Sequence, residues 1–514
     1  MKNLLLLLLL FFISFNLLSQ NISLDRVFGE EGVINEYFKD STEIIVIDAQ
    51  QFMDGSYLFS YIIFDDASKE DYFILAKHSK TGQLDTTFAD KGYYKISSND
   101  VEELLAFKVL PSGFVATVYT DYEDNTVLTI IDEKGNNFRD IKLQFGNYTY
   151  DINSILYRDN SLYIGGNFGL INPEVPNSSI DSSYVLKIND QGSIDTTFAE
   201  NGIYKYGLSD YTSYLSDMDF QGDKILLSNQ FSAKDYSSNF ILFSRINSDG
   251  ELDEDFGDSG AVILDGFYEE FVKIFVDSTG SFYFTLFEQP AVIKFTKEGE
   301  IDKSYGKEGT AVSDKFEDDL ITFFSQVYDG EAYFFGVSGF EYGLDKAKPI
   351  IIKYNAKGEL DTLFGDKGIY TQDLAEGGAY YNGLVDDDGK ILAFGGTFSA
   401  GIDSDNPDKK LIVRYKYNAA SIDNSLHTNI RAYIHPNPTN SGRISFDFEL
   451  KRADKVIIEL LDINAVKTGL LYSGKAHVGV NEIGLLLPEN IKAGMYFVKL
   501  TTGVGYVIKK LVVY

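Results

Sequence analysis

The chain contains no cysteine. That excludes disulfides, thiolate metal sites, a cysteine nucleophile and a lipoprotein anchor. It does not argue against export, because a chain of 514 residues can bury a core that needs no covalent staples. Histidine is nearly as scarce. Of the four, His427, His435 and His477 stand close to the C-terminus, and His78 alone lies further upstream. No His pair and no His-Glu-x-x-His spacing occurs, which removes a His-based zinc centre. No Gly-x-Ser-x-Gly elbow occurs either. Proline is limited to nine residues, and beyond the first twenty residues no apolar run is long enough to span a bilayer.

Those first residues, MKNLLLLLLLFFISFNLLSQ, carry Lys2, a Leu/Phe run and the small residue Ser19. This is the pattern of a secretory signal peptide. The run from Leu4 to Ile13 is short for a membrane span, so residues 1–19 are expected to be removed and to leave no transmembrane anchor.

Aromatic residues, by contrast, are plentiful, with 35 Tyr and 40 Phe, and the hydrophobic fraction of 44% supplies a large core. Enrichment in Tyr, Phe, Ile and Val over Ala and Met favours strands. The formal net charge is −32, yet from Asn429 to Tyr514 eleven Lys and Arg outnumber seven Asp and Glu. The acidic charge therefore belongs to the body of the chain, which should repel nucleic acid and anionic lipid, and the shift marks a domain boundary near residue 425.

One phrase recurs along that body: LDRVFGEEG from Leu24, LDTTFADKG from Leu84, IDTTFAENG from Ile194, LDEDFGDSG from Leu252, IDKSYGKEG from Ile301 and LDTLFGDKG from Leu360. Its aspartates, Asp25, Asp85, Asp195, Asp253, Asp302 and Asp361, are separated by 60, 110, 58, 49 and 59 residues. The long step contains IIDEKGNNFRDI, read as a degenerate seventh copy with Phe138 as its aromatic residue. Apolar strands precede each later phrase, as in SYLFSYIIF and YFILAKHSKTG, and the unit reads as four strands with a tight Gly turn between the first two. The last such strand, within Lys409–Asn418, lacks a following phrase, and the first phrase lacks preceding strands. The N-terminal segment can therefore complete the last unit and close a ring without exposed edges; an open solenoid is the alternative.

These residues resemble the delta-60 repeat family over residues 24 to about 418. The resemblance implies a β-propeller-like fold and no settled activity. The residues also have a physical reading of their own. The terminal glycine of each phrase, from Gly32 to Gly368, suits a turn with positive φ. The aromatic residue, from Phe28 to Phe364, can plug the space between blades. Each aspartate can accept backbone N–H bonds in the turn that follows. The competing reading makes each aspartate a cation ligand or a catalytic acid.

From Tyr433 the text changes to alternating runs such as RISFDFEL, KVIIELLD and MYFVKL, the pattern of a small β-sandwich. The opening His435-Pro436-Asn437-Pro438, the Asp462-Ile463-Asn464 turn, the strand from Gly494 and the terminal Lys509-Lys510-Leu511 resemble the type A sorting domain of the Bacteroidetes type IX secretion system. The family's usual Tyr is His435 here, and its usual Gly after the turn is Ala465. The resemblance implies passage through the periplasm, recognition by the type IX machinery, cleavage of the sorting domain and secretion or attachment at the outer surface. An adhesive immunoglobulin-like module is the alternative.

The expected architecture is thus all-β: a signal peptide (1–19), a seven-bladed β-propeller (20–418), a linker (419–431) and an immunoglobulin-like β-sandwich (432–514). The expected role is a binding or scaffold protein for a glycan or protein, not an enzyme; a secreted polysaccharide hydrolase or lyase is the competing class, since a carboxylate pair is all a glycosidase needs. The long irregular loops 167–181, 338–349 and 397–410 mark one face as the binding face. On that face Asp100, Asp151, Glu269 and Asp318 are candidates for holding calcium, the one cofactor considered, against the alternative of a solvated acidic rim. The acidic run Asp403–Asp408 lacks the Gly and distal Glu of an EF-hand and reads as a loop tip.

Overall fold

The computed structural model describes residues 22–34, 43–65, 70–97, 103–121, 125–143, 148–170, 182–189, 192–235, 237–265, 272–286, 290–313, 320–343, 346–375, 377–398, 410–417, 432–437, 439, 442–450, 453–461, 467–488, 491–502 and 505–513. The signal segment, the linker 419–431 and the acidic run 403–408 lie outside them. Two compact units are present, Met1–Ala419 and Ala420–Tyr514. No helix among the described residues is long and apolar enough to cross a membrane.

The first unit is built from antiparallel sheets of four strands. In blade 1 the strands Glu43–Gln51, Tyr57–Asp65, Glu70–His78 and Tyr93–Ser97 pair in sequence order. Sheets of the same order begin at Glu103, Tyr148, Tyr211, Lys273 and Ile321, making blades 2 to 6. Blade 7 starts with Gly378–Val385, Ile391–Thr397 and Lys410–Tyr417. The first strand of each sheet touches the first strand of the next, and Gly378–Val385 touches Glu43–Gln51, so the sheets form a closed ring with the first strands innermost. This is a β-propeller.

Burial explains why the middle strands read as unbroken apolar runs. Tyr57, Leu58, Phe59 and Tyr61 are all buried although neighbours along a strand point to opposite faces. Each sheet is covered on both faces by its neighbours, so alternation with polar residues disappears. The hydrophobic clusters accordingly lie between blades: Phe28, Tyr57, Phe59, Phe394 and Ile412 join blades 7 and 1, and Phe88, Leu58, Val115 and Ile131 join blades 1 and 2.

The ring closes through the chain's first described residues. Ile22–Leu24 pairs with Tyr415–Tyr417, and Val33–Ile34 pairs with Ile412–Val413, both on the outer side of Lys410–Tyr417. Between them Asp25 N–H donates to Arg414 O at 2.8 Å and Arg414 N–H donates to Gly32 O at 2.9 Å. Blade 3 makes the same two bonds within one stretch of chain, Asp195 N–H to Lys187 O and Lys187 N–H to Gly202 O. The repeated phrase is therefore the connection between third and fourth strands, and the fourth strand follows it. Its last glycine is required by geometry: Gly368 has φ +103°, and a Cβ there would lie 2.3 Å from Leu360 Cγ.

The second unit packs two sheets face to face. One holds Ala432–His435, Arg443–Leu450 and Gly479–Leu486; the other holds Lys467–Ala476, Asp454–Leu461, Gly494–Thr502 and Gly505–Val513. Alternate residues from both, including Phe446, Phe448, Ile458, Leu500 and Leu511, share a single core.

Candidate functional site

The repeated aspartates are the first candidates for chemistry, and their surroundings give each a structural task. A basic residue on the third strand stands eight positions before the aspartate. Lys187 Nζ lies 2.9 Å from Asp195, Lys294 Nζ 3.4 Å from Asp302, Lys353 Nζ 2.7 Å from Asp361 and Lys77 Nζ 4.0 Å from Asp85. Arg245 Nε donates to Asp253 at 2.5 Å, and Lys224 adds a contact at 2.7 Å. In blade 7 the partner of Asp25 is Arg414, with Lys416 at 2.8 Å and Lys390 at 3.3 Å. A second carboxylate oxygen caps the turn, as expected, in four phrases: Thr87, Thr197, Ser304 and Leu363 N–H groups donate to Asp85, Asp195, Asp302 and Asp361.

The electrostatics follow from these partners. Hydrogen bonds from Thr197 and Lys187 pull the Asp195 carboxyl down to about 2. Burial works against ionisation at Asp361, but Lys353 and the Tyr417 hydroxyl outweigh it and hold the carboxyl below the usual range. The same cations also lie over the phrase's ring: Arg414 Cζ is 4.2 Å from the Phe28 centroid, Arg245 Cζ 4.6 Å from Phe256 and Lys187 Nζ 5.8 Å from Phe198. Aspartate, base and ring thus form one repeated unit. Sequence reasoning found the aspartate and the ring but missed the base, although Lys77, Lys187, Arg245, Lys294, Lys353 and Arg414 stand at one spacing in the strands already aligned.

The innermost strands carry a second set of charges that the sequence did not single out. Asp217 Oδ2 accepts from Ile274 N–H at 3.2 Å, and Asp219 Oδ2 accepts from Val276 N–H at 2.8 Å, both across to blade 5. Asp48 Oδ1 accepts from Ala49 N–H at 2.8 Å, and Asn382 Nδ2 of blade 7 donates to Ile47 O at 2.9 Å. Burial pushes Asp219 up to about 6, aided by the charge of Asp217. Burial also raises Asp48, opposed by Ala49 N–H and by the charges of Lys273 and Lys108. These groups come from blades 1, 2, 4 and 5, so the axis of the ring gathers carboxylates and ammonium groups. Each of the three carboxylates nevertheless holds a backbone N–H, and two of them tie one blade to the next.

Of the four calcium candidates, Asp100, Glu269 and Asp318 lie outside the described residues. Asp151 is on the innermost strand Tyr148–Arg158, opposite Asn167. Its side chain reaches solvent, while the surrounding protein raises its pKa above the ordinary carboxylate range. Among the described residues Asp151 belongs to no group of three metal-ligating side chains. The one such group is in the second unit, where His435, Asp447 and Glu482 share a sheet face. There His435 Nε2 lies 2.8 Å from Asp447 Oδ2, and Ser445 Oγ donates to Asp447 Oδ1 at 2.9 Å. Of the three long loops, 171–181 and 399–409 also lie outside the described residues, whereas 338–349 is described except for 344–345 and contains the 3-10 turn Phe340–Tyr342.

One expectation is corrected. Phe138 does not plug the space between blades 2 and 3. It is 61% exposed, on the strand Asn137–Leu143, which follows directly from the turn at Gly135. The phrase is missing from blade 2 rather than altered, and Ile130 stands at the position that Lys187 holds in blade 3.

No family model and no curated protein matches the chain. Among solved structures it is similar to the β-propeller domain of the trilobed protease from Pyrococcus furiosus, at 11% identity and TM-score 0.40, covering 73% of this chain and 94% of that one. It is similar to acylaminoacyl peptidase from Pyrococcus horikoshii at 11% identity and TM-score 0.41, covering 81% of this chain and 60% of the peptidase. It is also similar to α-L-arabinanase from Penicillium chrysogenum at 11% identity and TM-score 0.35, covering 74% of this chain and 97% of the arabinanase.

Proposed function

We propose that this protein is an exported propeller that binds a glycan or protein ligand at the cell surface or outside the cell, and that it carries out no turnover. Its C-terminal unit addresses it to the type IX secretion machinery. The observation that carries the binding role is the commitment of the repeated and axial aspartates among the described residues. Every repeated aspartate is paired with a cation of its own blade, and Asp48, Asp217 and Asp219 on the axis each accept a backbone N–H. A glycosidase needs one carboxylate held as an acid and a second left open to the sugar or to water. Carboxylates engaged by a neighbouring cation or a backbone N–H are poor candidates for either task, whereas a rigid ring suits the display of a binding surface.

The export role rests on Lys2 and the leucine run at one end and on the Pro436-Asn437-Pro438 opening and closing strands of the second unit at the other. The test of function is a glycan and peptide array probed with the mature protein, followed by mass analysis of the captured probes. Retention of unchanged probes is expected. A probe cleaved by wild-type protein and spared after one carboxylate substitution would overturn the reading in favour of a hydrolase or lyase.

A further inference from the structure

Each blade presents the same cross-strand pair to the blade before it. The pairs are Tyr57 with His78, Val115 with Ile131, Leu162 with Ile188, Ile225 with Ile246, Phe282 with Phe295, Ala332 with Tyr354 and Ile391 with Tyr415. Onto six of them the preceding blade lowers the ring of its phrase. Phe28 packs at blade 1, Phe88 at blade 2, Phe198 at blade 4, Phe256 at blade 5, Tyr305 at blade 6 and Phe364 at blade 7. At Leu162 and Ile188 no ring arrives, because blade 2 passes from the turn at Gly135 straight into Asn137–Leu143.

The place of the missing ring is a cleft of about 260 Å3, walled by Leu162 and Ile188 on one side and by Phe114 and Ile141 on the other. Phe138 stands at its mouth, packed edge-on against Phe114 at 5.5 Å and largely exposed. Arg139 also lines the cleft, with its guanidinium 5.8 Å from the Phe138 ring. A cation beside an aromatic ring is what the other interfaces have, as with Arg414 and Phe28.

We infer that this cleft receives an aromatic side chain presented by a partner polypeptide, seated where the chain's own Phe or Tyr sits in the other interfaces. The size favours a side chain: sites that enclose drug-sized ligands run from ~300 to ~1,000 Å3. The exposed Phe138 beside the mouth favours a polypeptide, whose flanking residues would cover it; a buried aromatic anchor with an apolar surround is how such contacts concentrate their energy. The cleft opens beside Ser112, Asn160 and Gly192, in the short turns of blades 2 and 3. It is therefore at the ends of the strands opposite Leu170 and Thr397.

The chain has no tryptophan, so a tryptophan-bearing probe reports its own environment. The full-length protein is titrated with the capped peptide Gly-Ser-Trp-Ser-Gly and, separately, with free indole, following the shift of emission to shorter wavelength. Two filled variants are compared, Ile141→Phe in the wall and Ser112→Phe in the exposed turn, the latter placed so that folding is unaffected. The peptide is expected to bind, and each folded variant to weaken binding by at least about tenfold. Absence of a shift up to ~1 mM peptide overturns the inference, as does equal binding to the filled variants. Binding of indole without binding of the peptide also overturns it, and assigns the cleft to a low-mass aromatic compound.

Discussion

Arg414 Nη2 lies 2.8 Å from Asp25 Oδ2, and both side chains are buried although 389 positions separate them in sequence. This contact joins the two ends of the propeller. Arg414 also donates to Lys80 O at 2.7 Å and to the Tyr57 hydroxyl at 3.0 Å, and the latter donates to Asp386 at 2.7 Å, so the closure is fastened to blade 1 as well. Replacing Arg414 by Met is expected to cost about 3 kcal/mol, at the lower end for a broken buried pair because Lys390 and Lys416 remain beside Asp25. Adding Asp25→Asn to that variant should cost less than the two single losses combined. Denaturant unfolding measures both; an unchanged midpoint for Arg414→Met would show that the ends are held by something else.

Two aspartates should give the stability curve opposite slopes. Asp195 is held down to about 2, so its contribution is present above the unfolded value of 3.8 and is lost as pH falls through 2. Asp219 is raised to about 6, so the folded chain holds this proton more tightly than the unfolded chain does. Its contribution is complete below 3.8 and disappears as pH rises through 6. Melting of wild type and Asp219→Asn between about pH 4 and 7 checks this. Wild type should gain on the variant as the pH falls. A constant difference would mean that Asp219 titrates normally.

Much of this arrangement was legible in the sequence because the phrase recurs. The strands, the ring between blades, the positive-φ glycine at Gly368 and the completion of blade 7 by the first residues all follow from reading six copies against one another. The base of the unit escaped notice because a Lys or Arg near the end of a strand ordinarily points to water; only the fold shows Lys353 buried between Asp361 and Glu331. Blade 2 was misread for a related reason. Phe138 lies near the middle of the long step, but at the register shift between Asn137 and Arg139 it stands at the mouth of the gap between blades 2 and 3 without filling it. The axial carboxylates had no repeat to announce them. Asp217 and Asp219 share one face of a single strand, and only the ring brings Asp48 to the same Lys108 that acts on Asp219.

The proposed export has a direct consequence for the mature chain. Protein recovered from the cell surface or the medium should lack about the first 19 residues and the sorting domain that follows the linker. Intact mass decides it. A recovered chain that still ends at Tyr514 would contradict processing by the type IX route.

Each repeated aspartate is paired with a cation of its own blade, the arrangement of residues that build the propeller. Residues kept for function commonly cost stability, so neutralising them leaves a protein as stable as before or more so. Residues kept for structure do the reverse. Thermal unfolding of six single variants, Asp25→Asn, Asp85→Asn, Asp195→Asn, Asp253→Asn, Asp302→Asn and Asp361→Asn, separates the two. All six should melt below wild type. The largest losses should fall at Asp25 and Asp253, which are buried among two or more cations, and the smallest at Asp85, which sits 4.0 Å from Lys77 with a partly exposed carboxyl. A variant that melts at or above the wild-type temperature would mark its aspartate as a functional group and contradict the account.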